Sequence, residues 1–377
     1  MTVGSTSFDV IVVGAGIVGL AHAYEAARRG LKVCVVDRDA ACVSASIRNF
    51  GFVTVTGQGA GDTWRRARHA RDVWAELAPK AGITVQHQGL NLVATRDKAL
   101  EVLQAFMQTE MAQSVNCALW TAEEAARHAP ELRLEQAKAV LHSPIDLRVE
   151  SRDAIAQLTQ WLAEQMQVTF RFGEAVLEVA TPKVVTAKGQ LHAERVVVCT
   201  NADIHGLYSA LFAKHQVQLC QLQMLRVQPA ANLRLNASVM GDLSLVRYHG
   251  YSKLPEARAL LEQLQQEEGK SLAQGIHLIV VQSADGSLVV GDSHHYGASV
   301  KPFAQDDVDA LMLRHMREAL NIGDYRVTER WVGIYPSAPQ TDCFIEAPDA
   351  ATRVAIVTSG TGASTGFGVA HDTFADW

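Results

Sequence analysis

The sequence contains no apolar run of the roughly eighteen residues that a membrane-spanning helix needs, so no transmembrane segment is expected. A basic stripe is also missing: 34 lysines and arginines stand against 40 acidic residues, a net charge of -6 spread along the chain. Such a surface gains little from displacing counterions on a phosphate backbone, and nucleic acid is not expected as a partner. The six cysteines, Cys34, Cys42, Cys117, Cys199, Cys220 and Cys343, form no CxxC pair and no metal-ligand spacing. Two of them sit in apolar runs, Cys34 in VCVV and Cys199 in VVVCT, where they read as small buried residues rather than redox groups. The opening MTVGSTSFDV has neither a basic region nor a signal-like apolar stretch, and the Arg28-Arg29 pair falls inside an expected helix. These absences point to a cytoplasmic protein without a metal site. Internal repeats and low-complexity tracts are lacking as well.

What is present is the composition of a folding chain, 48% hydrophobic and 20% charged. At 377 residues it exceeds one ordinary core, and two or more domains are expected. The run FDVIVV ends at a glycine loop, in the manner of a parallel strand buried on both faces. A helix from Ile17 to Arg29, stopped by Gly30, and a second strand ending at Asp37 complete a βαβ start. Helices are expected over 63–78 and 97–113, with extended segments over 83–94. Thr121 and Glu124 have the spacing of a capping box for a short helix closed by Pro130, and Ser151 reads as the cap of a helix to about Gln165. Four short strands follow, in VTFRF, AVLEV, KVVTA and ERVVVC. Between about 216 and 300 the pattern changes to longer extended runs, QLQMLRVQP, LSLVRYHGY, IHLIVVQ and SLVVGDSHHYG, broken by a charged helix over 255–268. That is the pattern of an antiparallel sheet in a second domain. A helix over 305–320 leads to ERWVGIYPSAP, and RVAIVTSGTGASTGF returns to strand, glycine loop and helix.

The sharpest motif is VGAGIVG. Gly14 permits the tight turn after the first strand, Gly16 lets backbone amides approach a pyrophosphate, and Gly19 allows close helix packing. The helix opening at Ile17 and Val18 presents free amides and partial positive charge, and Asp37, followed by Arg38, stands where an acid meets a ribose hydroxyl. Strand, loop, helix, strand and acid in register point to a dinucleotide. Only one such fingerprint occurs. The second glycine cluster, Ser359 to Thr365, has too little chain after it for another nucleotide fold; it either aims a helix start at the far end of the same ligand or merely begins a helix.

In this order and spacing the chain resembles the D-amino-acid oxidase-like flavoproteins, which include glycine oxidase, sarcosine oxidase and 2-hydroxyglutarate dehydrogenase. The likeness rests on VGAGIVG with Asp37, on SASIRNFG, EAVLEV and ERVVVCTNA, and on the final TSGTGASTGFG, and it spans nearly the whole length. It implies an α/β fold: a Rossmann-like FAD-binding domain of the glutathione-reductase type, from 1–80, 140–215 and 325–377, with an interleaved antiparallel-sheet substrate domain from 81–139 and 216–324. It implies FAD held by Gly14, Gly16, Ile17, Val18, Gly19, Asp37 and Arg38; by Ser44, Ala45, Ser46, Arg48 and Asn49; by Val176, Thr200 and Asn201; and by Gly333, Gly360, Gly362, Ala363, Ser364 and Thr365. Arg48 would stand close to the flavin ring; its alternative is a salt-bridged surface residue. Relatives of the sarcosine oxidase branch often link FAD to a cysteine, but the matching position here is about Gly333, so FAD is expected to be noncovalent.

The resemblance further implies hydride transfer from a carbon bearing an amine, or less often a hydroxyl, to flavin N5, with oxygen or a quinone as final acceptor. In amino-acid and glycine oxidases the segment matching WVGIYP carries an arginine that clamps a carboxylate; here that position is Tyr335. GDSHHYG is similar to a Gly-x-His-x-Tyr-Gly pattern of the sarcosine oxidases, with His294 as the matching residue and strand alternation admitting only one of His294 and His295 to the site. No lysine precedes the motif, so oxidase and dehydrogenase both stay open. VRYHGY adds Arg247, Tyr248, His249 and Tyr251 as a possible pocket wall, while Arg226 and Arg330 read more readily as structural. The catalytic candidates are therefore Arg48, His249, Tyr251, His294 and Tyr335. The expected substrate is a small amine zwitterion, such as 2-aminoethylphosphonate or its N-methyl derivative, given the likeness to a subgroup associated with phosphonate breakdown. A 2-hydroxy acid, a sarcosine-like amino acid and a flavin-bearing sensor without turnover are the alternatives.

Overall fold

A computed structural model describes residues 7–375 and 377; the opening residues 1–6, read above as lacking an export signal, lie outside the described residues. Two sheets carry the architecture. Among the described residues the first is eight-stranded, and its centre is parallel: Thr352–Val357, Gly189–Val198, Ser7–Val13, Val33–Val36 and Thr169–Arg171 lie side by side. Val10, Ile11 and Val12 are fully buried, because helices Ile17–Arg28 and Gly362–Thr373 pack on one face and Val176, Val184 and Phe212 on the other. Cys343–Asp349 and the Val176–Ala180/Lys183–Thr186 hairpin add antiparallel edges.

Among the described residues the second sheet is ten-stranded and antiparallel except where Ser238–Gly241 runs parallel to Val85–Ala94. Its longest pairing joins Gln218–Pro229 to Tyr325–Ser337, from Gln218 opposite Ser337 to Pro229 opposite Tyr325. WVGIYP is therefore a strand, and it belongs with the second sheet. So do Phe52–Val53 and Ala139–Val149. The resemblance implied 140–149 and 325–337 within the nucleotide unit; both strands pair in the second sheet, although each touches the first.

Local expectations held where caps or glycines fix the chain. The Thr121/Glu124 capping box forms at the start of helix Ala122–His128, and Gly30, at φ +79, follows the end of helix Ile17–Arg28. Three expectations need correction. The helix expected over 97–113 breaks at Gln108, and Thr109 caps a separate turn, Glu110–Ser114. Ser151 is the first residue of its helix rather than its cap, and its hydroxyl donates to the Asn49 carbonyl at 3.3 Å. LSLVRYHGY is not extended: it forms a 3-10 turn, Asp242–Val246, and a short helix, His249–Ser252. Tertiary packing decides this, since Gly250 sits so close to Gly57 and Gln58 that an added Cβ would lie 2.6 Å from the Gln58 carbonyl oxygen.

The last helix, Gly362–Thr373, packs between helices Ile17–Arg28 and Asp62–Lys80. Trp74 anchors it: the indole is 1% exposed, meets the Phe367 ring edge-on at 5.4 Å and donates to the Ala363 carbonyl at 2.9 Å. Trp74→Ala is expected to cost about 3–5 kcal/mol of stability, read by denaturant unfolding. A loss below about 1 kcal/mol would mean the helix is held by other contacts.

Candidate active site

A cavity of about 700 Å³ crosses the junction of the two sheets, a size within the roughly 300–1,000 Å³ of small-ligand sites. One part is lined by the glycine loop and the ends of the parallel strands, the other by side chains of the second sheet and its connections.

In the nucleotide part, Gly14 adopts φ +106 and lies against the Cys199 carbonyl, where a Cβ would come within 2.6 Å. Ala15 donates its amide to Asp37 Oδ2 at 2.6 Å and Asp39 donates to Oδ1 at 2.9 Å, so the carboxylate is fixed yet keeps lone pairs for a ribose hydroxyl. Ile17 donates its amide to Ser46 Oγ at 2.9 Å, which draws the 44–49 segment over the helix start. Gly16, Ile17, Val18, Arg38, Ser44, Ala45, Ser46, Arg48, Asn49, Val176, Thr200 and Asn201 all line the cavity, as do Gly333, Gly360, Gly362, Ala363 and Ser364. Gly19 and Thr365 do not. A Cβ on Gly19 would lie 1.8 Å from the Gly14 carbonyl oxygen, so Gly19 permits helix packing, and the Thr365 hydroxyl turns back to the Thr361 carbonyl at 3.0 Å. Both are corrections to direct cofactor contact.

The substrate part is built on Tyr335 and the 242–252 segment. Gly360, at φ +73, lies flat on the Tyr335 ring, 2.9 Å from where its Cβ would be, and so fixes the phenol. Arg247 Nη2 donates to Tyr296 Oη at 3.0 Å and to Tyr335 Oη at 3.5 Å. No carboxylate pairs with it among the described residues, in contrast to Arg38, which pairs with Asp203 at 2.8 Å. Burial acts to lower the Arg247 pKa, but Tyr335, Tyr296 and Asp292 raise it further, and the guanidinium stays charged. Arg48 donates to the Val332 carbonyl at 3.3 Å, tying the 44–49 segment to the strand of Tyr335. Gly333 also faces this contact, since its Cβ would lie 3.2 Å from the Arg48 carbonyl oxygen.

His294 lines the cavity, whereas His295 turns away to Gln274 at 2.7 Å. His249 stands half-exposed at the rim, 3.8 Å from Asp342. Tyr251 is misplaced as a catalytic candidate: it is fully buried beneath Gly57, meets the Phe106 ring edge-on at 4.6 Å and does not line the cavity. Two groups were overlooked, His277 and Asp292. Both are buried in the wall beside His294; the available signals were a histidine inside the apolar run IHLIVV and an acid inside GDSHHYG. Burial raises the Asp292 pKa to about 7, against the opposing pull of Arg247. The folded chain thus keeps a proton that the unfolded chain releases from about pH 4 upward, and this group's contribution to stability falls as pH rises to 7.

The model of the FAD dependent oxidoreductase family matches residues 9–377. The chain belongs to that family. Among solved structures it is similar to glycine oxidase from Bacillus cereus ATCC 14579, with a TM-score of 0.76 and 15% identity over 98% of this chain and 96% of that one. It is similar also to L-proline dehydrogenase from P. horikoshii, at 0.78 and 18% over 98% and 92%. Iminodiacetate oxidase from Chelativorans sp. BNC1 follows at 0.71 and 18% over 97% and 94%. At such identities the likeness is one of fold. No curated protein sequence is a significant match. The fold class and FAD expected from the sequence are those of the family.

The residues fit FAD. Thr200 Oγ1 is buried without a hydrogen-bond partner in the cavity wall, an orphan that a ligand hydroxyl or ring nitrogen satisfies. Gly16 itself puts no side chain over the helix start, whose Ile17 amide is met by Ser46 Oγ, and a pyrophosphate fits beside it. Asp37→Ala is expected to weaken FAD binding by about 1.5–3 kcal/mol, roughly 10- to 150-fold, measured by titrating apoprotein with FAD and following flavin fluorescence. Denaturation of the wild type is expected to release FAD intact, and a flavin that stays with the precipitated chain would disprove noncovalent binding.

Proposed function

We propose that this FAD-dependent oxidoreductase oxidises the C–N bond of a small amine zwitterion whose anionic end is held by Arg247. The observation that carries the reading is a charged arginine in the cavity wall whose described polar partners are two phenols. A cation in that setting lacks only an anion, and charge-assisted bonds are the strong ones in such a place. The guanidinium fork comes from the 242–252 segment and compensates for Tyr335 at the position where amino-acid oxidases carry their clamp.

Arg247, Tyr296 and Tyr335 offer donors on three side chains from three separate segments, which suits three oxygens on a tetrahedral centre better than a flat carboxylate. The preferred substrate is therefore an aminophosphonate, 2-aminoethylphosphonate or its N-methyl derivative, oxidised to the imine and then hydrolysed to the aldehyde. FAD, when bound, supplies the hydride acceptor. The chain binds the anionic end, turns the carbon next to nitrogen toward the Gly360–Ser364 side, and with Tyr248, Tyr335 and Phe50 limits water in the cavity. Oxygen or a quinone takes the electrons onward, in the cytoplasm. No helix among the described residues is long and apolar enough to cross a membrane.

Anaerobic mixing of the FAD-loaded enzyme with aminophosphonates, N-methyl amino acids and 2-hydroxy acids tests this, with flavin bleaching as the readout. Fastest bleaching by a hydroxy acid would replace the amine reading, and no bleaching by any of them would leave a binding protein. Arg247→Met is expected to retain FAD and lose about 2–4 kcal/mol, roughly 30- to 1,000-fold, in kcat/KM for the aminophosphonate.

A further inference from the structure

The groups that the proposed binding mode leaves unused are His277, Asp292 and His294, stacked in one wall of the cavity. The two imidazole rings lie 5.1 Å apart at 22°. His277 Nε2 is 3.3 Å from Asp292 Oδ1, and His294 Nε2 is 3.6 Å from Asp292 Oδ2. His277 Nδ1 and Asp292 Oδ1 are buried without a hydrogen-bond partner.

The proton count follows from one contact. His294 Nδ1 lies 2.8 Å from the Gly275 carbonyl oxygen, and a carbonyl only accepts, so Nδ1 carries the hydrogen. In the neutral ring Nε2 is then a bare lone pair, and it faces a carboxylate oxygen. At 3.6 Å the two acceptors make no hydrogen bond, and their lone pairs repel across the gap unless one of them carries a proton. The deprotonated pair is therefore avid for a proton, and it borders the space where an amine would lie.

We propose that Asp292 and His294 hold a single proton as a pair, on one or the other of Oδ2 and Nε2, and that the emptied pair is the base that takes the proton from the substrate's ammonium nitrogen. The base role rests on the amine reading above; the shared proton does not. In the step the ammonium N–H bond breaks, its electron pair stays on nitrogen, and the proton passes to the pair. No electrons leave the substrate until the free amine has formed. Proton uptake also neutralises Asp292, so the bound anion meets Arg247 without a carboxylate beside it.

The groups facing this pair from every side are compatible with it. Burial and Arg247 hold His294 and His277 well below the usual imidazole range, and burial holds Asp292 up, so the shared proton resides on the carboxyl side. Tyr248 meets the His277 ring edge-on at 5.4 Å and Tyr335 meets the His294 ring at 6.4 Å. Both phenols are pushed above their usual range by burial and stay neutral, as does the Cys220 thiol, pushed up to about 11, also by burial. Tyr296 is likewise raised, and His295 bonds Gln274 on the other side of the strand. His277, Asp292 and His294 also come within 4.8 Å of one another, a spacing that suits a divalent cation, but the Arg247 charge on the same wall opposes one.

Two measurements on the FAD-loaded enzyme test the proposal. Infrared difference spectra between pH 5 and 9, without substrate, are expected to contain the carbonyl stretch of a protonated carboxylic acid that titrates near neutrality and is missing in Asp292→Asn. Absence of that band in the wild type overturns the shared proton. The rate of flavin reduction by the amine is expected to rise with pH to a plateau in the wild type. In Asp292→Asn that limb should move to the substrate's own ammonium pKa, with a loss of about 10²- to 10⁴-fold at pH 7 that is recovered at high pH. An unshifted limb, or a profile abolished by EDTA, overturns the base role. His294→Gln is read in the same way should Asp292→Asn fail to hold FAD. Reduction by no amine would sink the amine reading and the base with it, while the infrared band would still report the shared proton.

Discussion

The pairing of Gln218–Pro229 with Tyr325–Ser337 is the constraint on which the site depends. The strand that places Tyr335 continues directly into contact with the nucleotide sheet, through the bridge from Ser337 to Ser359 and the Ala338 amide donating to the Thr358 carbonyl at 3.2 Å. On its other side the Trp331 indole donates to the Arg48 carbonyl at 3.1 Å, and Arg152 covers the Trp331 ring at 5.0 Å. One strand thus carries a substrate-side phenol, touches the 44–49 segment and abuts the glycine loop of the last helix. The spacing between anion-binding wall and cofactor loop is set by backbone, not by side chains that could swing.

Much of this was legible in the sequence because the nucleotide half is dictated by local chemistry. Gly14 and Gly16 act within one short turn and Asp37 directly follows the very next strand, so their steric and hydrogen-bonding demands appear as a local pattern. Gly360 and Gly362 were legible for the same reason. The substrate half was legible only in part. Arg247 was visible as one polar residue among four in VRYHGY, but alternation suggested a strand where Gly250 against Gly57 forces a helical turn, and the turn decides which residues face inward. Tyr251 consequently points into the core and Arg247 into the cavity. His277 and Asp292 are fifteen positions apart in sequence, and only the antiparallel pairing of Ile279–Gln282 with Leu288–Gly291 sets them side by side. No spacing rule in a single sequence marks such a pair.

Burial also reshapes the electrostatics that a residue count would suggest. Arg247, His277, Asp292 and His294 would bring up to three positive charges and one negative into the same wall. Desolvation suppresses the charged form of both imidazoles and of the carboxyl, while the guanidinium, with its high intrinsic pKa, survives. Once the Asp292–His294 pair holds its proton, the wall therefore approximates a single fixed cation lined with neutral hydrogen-bonding groups. Such a wall favours an anion strongly yet presents little repulsion to a neutral amine beside it.

The last helix has a consequence for how the chain is made. Its buried face, with Phe367 and Phe374, completes the core of the sheet that begins at Ser7, and it packs between helices formed by residues 17–28 and 62–80. The first βαβ unit leaves the ribosome early but cannot close its hydrophobic surface until residues 352–373 arrive, more than three hundred positions later. Contacts of that sequence separation are slow to form, and the half-covered sheet is exposed to aggregation for most of synthesis. Early capture of the dinucleotide by the glycine loop and Asp37, or shelter by a chaperone, would shorten that exposure, so the ligand's place at the first turn of the chain bears on biogenesis as well as on chemistry.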